Sequence, residues 1–295
     1  MMKKLIAVLL TICLMASLSC TALADGSAVT ETQPQYLSWL TARRAIEKAD
    51  LSGDFVKIPD YNVVIWIPDD LIDQDTLPDD SYLAWFTTAD RSAEVGVQAM
   101  EMGQGFSLDQ YEEQLEEQGL LDYGIYVVNG LNGLVFANEE TDNLSVAFVC
   151  DQTEAVYFSF YPASDGNFNQ LAMVMISSIQ PSSIGLSDIA EMIDTDLLFS
   201  YWGENRMVTF NEDDGSIIVV IWDTGLNSDN IKNSTNFDEV RASFVELAGF
   251  YTDSLEELNA SDVHLILQYV ADEDDAAFLT IVDGELVYDV SEQYS

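Results

Sequence analysis

Past its first two dozen residues the chain holds one imidazole, His264, and one thiol, Cys150. Nucleophilic catalysis needs a nucleophile within hydrogen-bond reach of a base, so these two are the first candidates. His264 sits in Val263-His264-Leu265-Ile266-Leu267. On a strand, Val263, Leu265, Leu267 and Tyr269 share one face, and His264 points the other way with Ile266, Gln268 and Val270. The expectation is a hydrogen-bonded histidine on a half-covered face rather than a general base. Cys150 closes the apolar run from Val146 to Val149 and reads as a small core residue. A Cys150–His264 dyad would have to join two separate domains. Zinc sites draw on several Cys or His ligands, and one of each does not make a typical set. The chain has no Gly-x-Ser-x-Gly elbow, phosphate-binding loop or dinucleotide fingerprint.

Carboxylates are the abundant reactive groups, 52 Asp and Glu in all. A glycosidase needs two of them about 5–9.5 Å apart, one with a raised pKa. With so many acids, some pair meets that distance by chance. The densest clusters are Asp69-Asp70, Asp79-Asp80, Glu212-Asp213-Asp214 and Asp272-Glu273-Asp274-Asp275. None fits the Asp-x-Asp-x-Asp-Gly calcium loop with its distal glutamate, and each falls where a hairpin or loop places solvated acids. No cofactor is expected; calcium is the one cation these clusters leave open. Trp39, Trp66, Trp85, Trp202 and Trp222 could stack on sugars, yet Trp66 and Trp222 lie in apolar strand runs and read as core. Trp202, beside Tyr201 and Gly203, is the one expected nearest the surface, with packing as its role even there. No catalytic, cofactor-binding or metal-ligating residue is assigned.

The charge balance narrows the partners. Lys3 and Lys4, a nearly continuous apolar run from Leu5 to Leu18, and Ala22-Leu23-Ala24 form the three parts of a cleaved export signal, residues 1–24. The run is shorter than the roughly 20 residues of a membrane-spanning helix. Lipoprotein anchoring at Cys20 is the rival, but Ser17 stands where such signals usually carry Leu. Cys13 and Cys20 leave with the signal, so Cys150 has no partner within the mature chain. Loss of Lys3 and Lys4 takes the formal net charge from −42 to about −44. Nucleic acid and anionic lipid would repel such a chain. The composition is nonetheless 48% hydrophobic and 11% aromatic, enough to bury a core rather than stay disordered. The acidity accounts for solubility in an exported protein and also suits a basic or cationic partner.

Those features rest on predicted elements. Residues 25–53 read as a leader followed by an amphipathic helix in which Tyr36, Leu37, Leu40, Ile46 and Ala49 recur, with Arg43, Arg44 and Lys48 among them. Phe55–Ile58 and Val63–Ile67 flank a Pro-Asp-Tyr-Asn turn as a hairpin. The second strand is apolar on both alternating sets and needs cover on both sides. Tyr82–Thr88 and Val95–Met102 follow as strands. Ser107 opens a helix with Gln110 completing a capping box, Leu108, Tyr111 and Leu115 forming the buried stripe and Gly119 closing it. Four runs, Tyr123–Val128, Gly133–Ala137, Leu144–Cys150 and Ala155–Tyr161, read as an antiparallel meander. A helix from about Asn167 to Ile179 carries Phe168, Leu171, Met175 and Ile179 on one face until Pro181 stops it.

The order Asp54-Phe55-Val56-Lys57-Ile58-Pro59, Ile67-Pro68, Ser107-Leu108-Asp109-Gln110-Tyr111, a meander and Ile176-Ser177-Ser178-Ile179 resembles the Mog1/PsbP-like α/β/α sandwich of secreted bacterial proteins. The resemblance covers residues 54–180 and rests on pattern without an invariant motif. It implies adaptor or assembly roles and supplies no catalytic set.

Residues 181–194 read as a linker with a short helical turn at Asp188–Ile193, and residues 195–295 as a second domain of ββα(α)βββ order. Met207–Phe210 and Ile217–Trp222 meet across Asp213-Asp214-Gly215. Thr235 caps a helix bearing Phe237, Val240, Phe244 and Ala248 and ended by Gly249, with a further helical stretch at Ser254–Asn259. Val263–Val270, Ala277–Val282 and Glu285–Val290 close the chain. The ending from Phe278 to Asp289 resembles small domains of uncharacterised secreted Gram-positive proteins.

The fold class expected is α+β in two small domains. The function expected is an exported, acidic, non-catalytic binding or accessory protein of the cell envelope or extracellular space. Its partner would be an unknown protein or envelope component, and the mature chain would have no transmembrane segment. A carboxylate-dependent extracellular hydrolase and a calcium-dependent adhesion module are the alternatives.

Overall fold

The computed structural model describes residues 35–101, 107–118, 120, 123–149, 154–198, 200, 202, 205–222, 235–271 and 277–290. The chain divides between Ser182 and Ser183 into two units, the first with two sheets and the second with one, each mixing helices with mainly antiparallel strands, an α+β architecture.

The first unit opens with a short strand, β1 (Gln35–Leu37), and helix α1 (Trp39–Ala49). The helix forms behind Ser38, whose side chain accepts from Thr41 N, and it ends at Asp50 in the left-handed region. Trp39, Leu40, Ala42 and Ile46 are buried. This helix is thus part of the first unit's core rather than an appendage ahead of it.

The hairpin of β2 (Gly53–Lys57) and β3 (Val63–Pro68) follows. Both faces of β3 are covered as its sequence requires: Ile65 is 0% and Trp66 4% exposed. Next come β4 (Ile72–Asp73), β5 (Tyr82–Thr87) and β6 (Glu94–Glu101). Helix α2 (Leu108–Glu117) carries the expected capping box, Gln110 N donating to Ser107 Oγ and Ser107 N to Gln110 Oε1. Gly119, the expected stop, lies outside the described residues, and Gln118 caps the helix.

The meander is β7 (Tyr123–Val128), β8 (Leu131–Asn138), β9 (Asn143–Val149) and β10 (Glu154–Tyr161). Helix α3 (Gly166–Ser178) and the two-residue β11 (Gln180–Pro181) complete the unit. The large sheet runs β1-β7-β8-β9-β10-β6-β5-β4 and the small one β11-β3-β2. Helix α3 touches β7, β9 and β10 of the large sheet, β3 of the small one, and α1. Its buried residues are Ala172, Val174, Met175, Ile176, Ser177 and Ser178, followed by the buried C-cap Ile179, while Phe168 and Leu171 are only half-buried. Met175 and Ile179 of the expected stripe are buried, and burial is broader than that stripe because α1 and both sheets pack against the helix. Pro181 ends α3 as expected but then pairs with Val63 rather than opening a linker.

Residues 181–194 are mostly structured. Helix α4 (Leu186–Leu198) occupies them and packs on β12 (Arg206–Asn211). Ile189, Ile193 and Leu197 recur at helical spacing and are buried, a period hidden behind the Pro-Ser-Ser start. Strand β12 pairs with β13 (Ser216–Trp222) through a turn with Gly215 at φ +69°.

Helix α5 (Thr235–Glu257) is one continuous rod. It passes through Gly249, the residue expected to stop it; the residues just ahead of Thr235 lie outside the described ones. The buried series Phe237, Phe244, Leu247, Ala248, Tyr251, Leu255 and Leu258 continues across the glycine without a break, and packing outweighs the local cost of glycine. Strand β14 (His264–Val270) then runs parallel to β13, and β15 (Leu279–Val282) and β16 (Glu285–Asp289) follow antiparallel. Pairing register places Ile217, Val219, Ile221, Leu265, Leu267, Leu279 and Ile281 on one face, all essentially inaccessible.

Candidate functional site

His264 is the first residue of β14, with 62% of its side chain exposed. Its Nδ1 lies 3.0 Å from Asp283 Oδ2, while Asp283 Oδ1 accepts from Leu265 N at 2.8 Å. The Asp283 hydrogen bond, then its charge, raises the imidazole pKa above 6.5. The expected hydrogen bond is present, but the histidine is more open than a half-covered face implies. Cys150 lies outside the described residues. The Asp283 carboxylate is tied to the strand backbone and the turn, so the pair locks the β15–β16 hairpin to the start of β14.

Asp79 and Asp214 of the acidic clusters, and Asp90 outside them, cap their own turns. Asp214 Oδ1 accepts from Ser216 N and Oγ. Asp79 Oδ1 does the same for Ser81, and Asp90 Oδ1 for Ser92 and for the Thr88 hydroxyl. Those bonds, from the Ser92 hydroxyl and amide first and then from Thr88, hold the Asp90 carboxyl at about 2; Ser81 likewise lowers Asp79. These are turn caps in which a carboxylate accepts backbone N–H groups. Asp69 and Asp70 are exposed, and 272–275 lie outside the described residues. Among the described residues no three His, Cys, Asp or Glu side chains converge as a metal site.

Among the described cations, Arg43, Arg206 and Arg241 form ion pairs within the fold. Arg43 is buried and pairs with Glu47 at 3.3 Å, while Arg44 and Lys48 are exposed. Arg206 grips Asp194 at 2.8 and 2.9 Å through two nitrogens. Arg241 Nε stands 2.7 Å from the buried Asp289 carboxylate, a close ion pair although the N–H is not aligned as a hydrogen bond.

Four tryptophans pack. Trp39 meets Phe55 edge-on at 4.8 Å, Trp66 is buried, and Trp222 is half-buried rather than core. Trp202 stands edge-on to Phe244 and Tyr269, at 6.1 and 5.8 Å. Trp85 differs. On the large sheet, α2 covers Leu134, Phe136 and Ala147, with Met100, Ile125 and Tyr157 at the margin. Farther along the same face, toward β4, the register brings up Tyr82, Trp85, Glu94, Gln98 and Tyr161. Tyr161 is 38% and Ile72, at the sheet edge, 51% exposed; Tyr82, Trp85 and Glu94 are half-buried.

Trp85 Nε1 donates to Glu94 Oε2 at 3.3 Å, and the Arg91 guanidinium lies 5.9 Å from the indole centre. The Tyr82 ring lies over Gly96, where a Cβ would come within 2.9 Å of it. Burial, then the negative charges of Glu94 and Asp79, raise the Tyr82 hydroxyl pKa. This strip of aromatic rings around a carboxylate escaped the sequence reading. The alternation in Tyr82–Thr87 sets Trp85 opposite Ala84 and Phe86, but the bulge that brings Tyr82 to the same side has no local signature.

No family model matches the chain, and no curated protein does. Solved structures similar to it include the following two. One is the solution structure of cyanobacterial PsbP from Synechocystis sp. PCC 6803, 12% identical over 44% of this chain and 92% of that one, with a TM-score of 0.34. The other is a crystal structure from Bacteroides thetaiotaomicron VPI-5482, 11% identical over 78% of this chain and 87% of that one, with a TM-score of 0.28. Similarities this low carry no argument about function.

Proposed function

We propose that the chain is an exported, acidic binding or accessory module of the cell envelope or extracellular space, acting through its surface rather than by turnover. The observation that supports this most is the dispersal of its reactive groups. The one described imidazole is exposed and bonded to a turn carboxylate. The carboxylates of Asp79, Asp90 and Asp214 cap their own turns. Helix α2 turns Glu113, Glu116 and Glu117 to solvent. No described helix is long and apolar enough to cross a membrane. The reading agrees with the adaptor or assembly roles implied by the Mog1/PsbP-like resemblance of residues 54–180.

The test is a turnover assay of the purified chain on extracellular polysaccharides, peptides and esters. The proposal expects no turnover above buffer. Turnover abolished by neutralising one carboxylate, with the circular dichroism spectrum unchanged, would overturn it in favour of a hydrolase.

A further inference from the structure

We propose that the open strip of the large sheet around Trp85, Tyr82, Glu94 and Tyr161 is a docking site for an arginine- or lysine-bearing segment of a basic partner protein. This names a surface and a partner chemistry for the binding module proposed above and rests on that reading. Glu94 on β6 has Tyr161 beside it on β10 and Trp85 diagonally across on β5. The two outer strands are about 10 Å apart, twice the usual strand spacing, a width suited to one extended side chain lying between two rings. Aromatic faces attract cations by their quadrupole and take up the apolar stem of Arg or Lys. A carboxylate between the rings supplies the counter-charge.

Two observations select a cation over a neutral sugar. The fold already sets a guanidinium, that of Arg91, against this indole at 5.9 Å. Arg91 is itself exposed, on a turn held by Asp90, so a partner's cation can compete for the same ring. The second is charge complementarity: a chain of formal net charge −42 draws basic ligands toward itself from a distance and repels acidic ones. It also opposes a second copy of itself as the occupant.

The experiment is calorimetric titration of the full mature chain with a short Arg-Gly repeat peptide. An acidic peptide of equal length and a glucose oligosaccharide serve as comparison ligands. The proposal expects binding of the basic peptide alone, weakening as salt rises. Trp85→Leu should weaken it about tenfold and Tyr161→Ala about threefold, with the circular dichroism spectrum of each variant unchanged. Glu94→Gln should cost more than Glu113→Gln on α2, which removes the same charge elsewhere. Arg91→Ala should tighten binding, since it vacates the ring.

Equal losses for Glu94→Gln and Glu113→Gln, with Trp85→Leu silent, would mean diffuse charge attraction and overturn the site. Weaker binding in Arg91→Ala would overturn the cationic occupant. Binding of the oligosaccharide but not the peptide would overturn this proposal and leave the binding-module reading standing. Turnover of any of these ligands would end both.

Discussion

At the residue scale, His264 holds the Asp283 turn carboxylate from the first position of β14. Since folding raises its pKa, the pair contributes stability below pH 6.5 that is lost as pH rises through the folded value. The side chain is exposed and screened by solvent, so the effect belongs to the local hairpin. An NMR titration should place the His264 midpoint above 6.5, and Asp283→Asn should return it to about the ordinary 6.5. An unchanged midpoint in the variant would remove the hydrogen bond as the cause.

Asn129 combines a turn with long-range hydrogen bonds. Its Asn-Gly turn takes φ of +47° and +84°, the conformation such a hairpin requires. The side chain also accepts from Trp39 N and donates to the carbonyls of Ser177 and Ile179. These partners lie 48 to 90 residues away, beyond any local pattern. Asn129→Ala leaves buried backbone groups without partners and should cost about 3 kcal/mol in denaturant unfolding. Asn129→Gly keeps the turn but not the bonds; a loss much smaller than that of the alanine variant would show that backbone conformation, not the bonds, dominates.

At the scale of elements, legibility followed the range of the forces involved. Capping boxes, hairpin turns and apolar periods act within a few residues, and α2, the meander and the β12–β13 and β15–β16 hairpins were read close to where they lie. Tyr36 and Leu37, expected in the helix, pair as β1 instead. Strands β1, β4 and β11 have no local signature, because two or three residues hold no period. Each exists only through its partner, β7, β5 or β3. The break expected at Gly249 failed for the complementary reason: a local stop signal lost to tertiary packing along α5. A Cβ at Gly249 would meet nothing within 4 Å. Gly249→Ala should therefore stabilise the second unit by about 0.5–1 kcal/mol, read as a higher denaturant midpoint. A lowered midpoint would mean the glycine serves a close approach in the folded chain.

At the scale of the whole molecule, the dominant feature is charge, and here the sequence was most informative and least specific. Composition alone gave the acidity and set it against nucleic acid as a partner. It could not show that the carboxylates cap turns, because a cap is a geometry. Self-repulsion among these acids lowers stability and is screened by salt. The melting temperature should rise with sodium chloride. If no calcium site exists, calcium should do no more than sodium at matched ionic strength. A steep rise at micromolar calcium, reversed by chelator, would instead support the adhesion alternative.

The most direct test of the central claim, that the chain works by surface binding, is its equilibrium binding to the envelope fraction of its own cells. The account predicts a saturable isotherm that weakens with salt and is displaced by a basic peptide but not by an acidic one. A linear, unsaturable uptake, indifferent to salt and to both peptides, would contradict it.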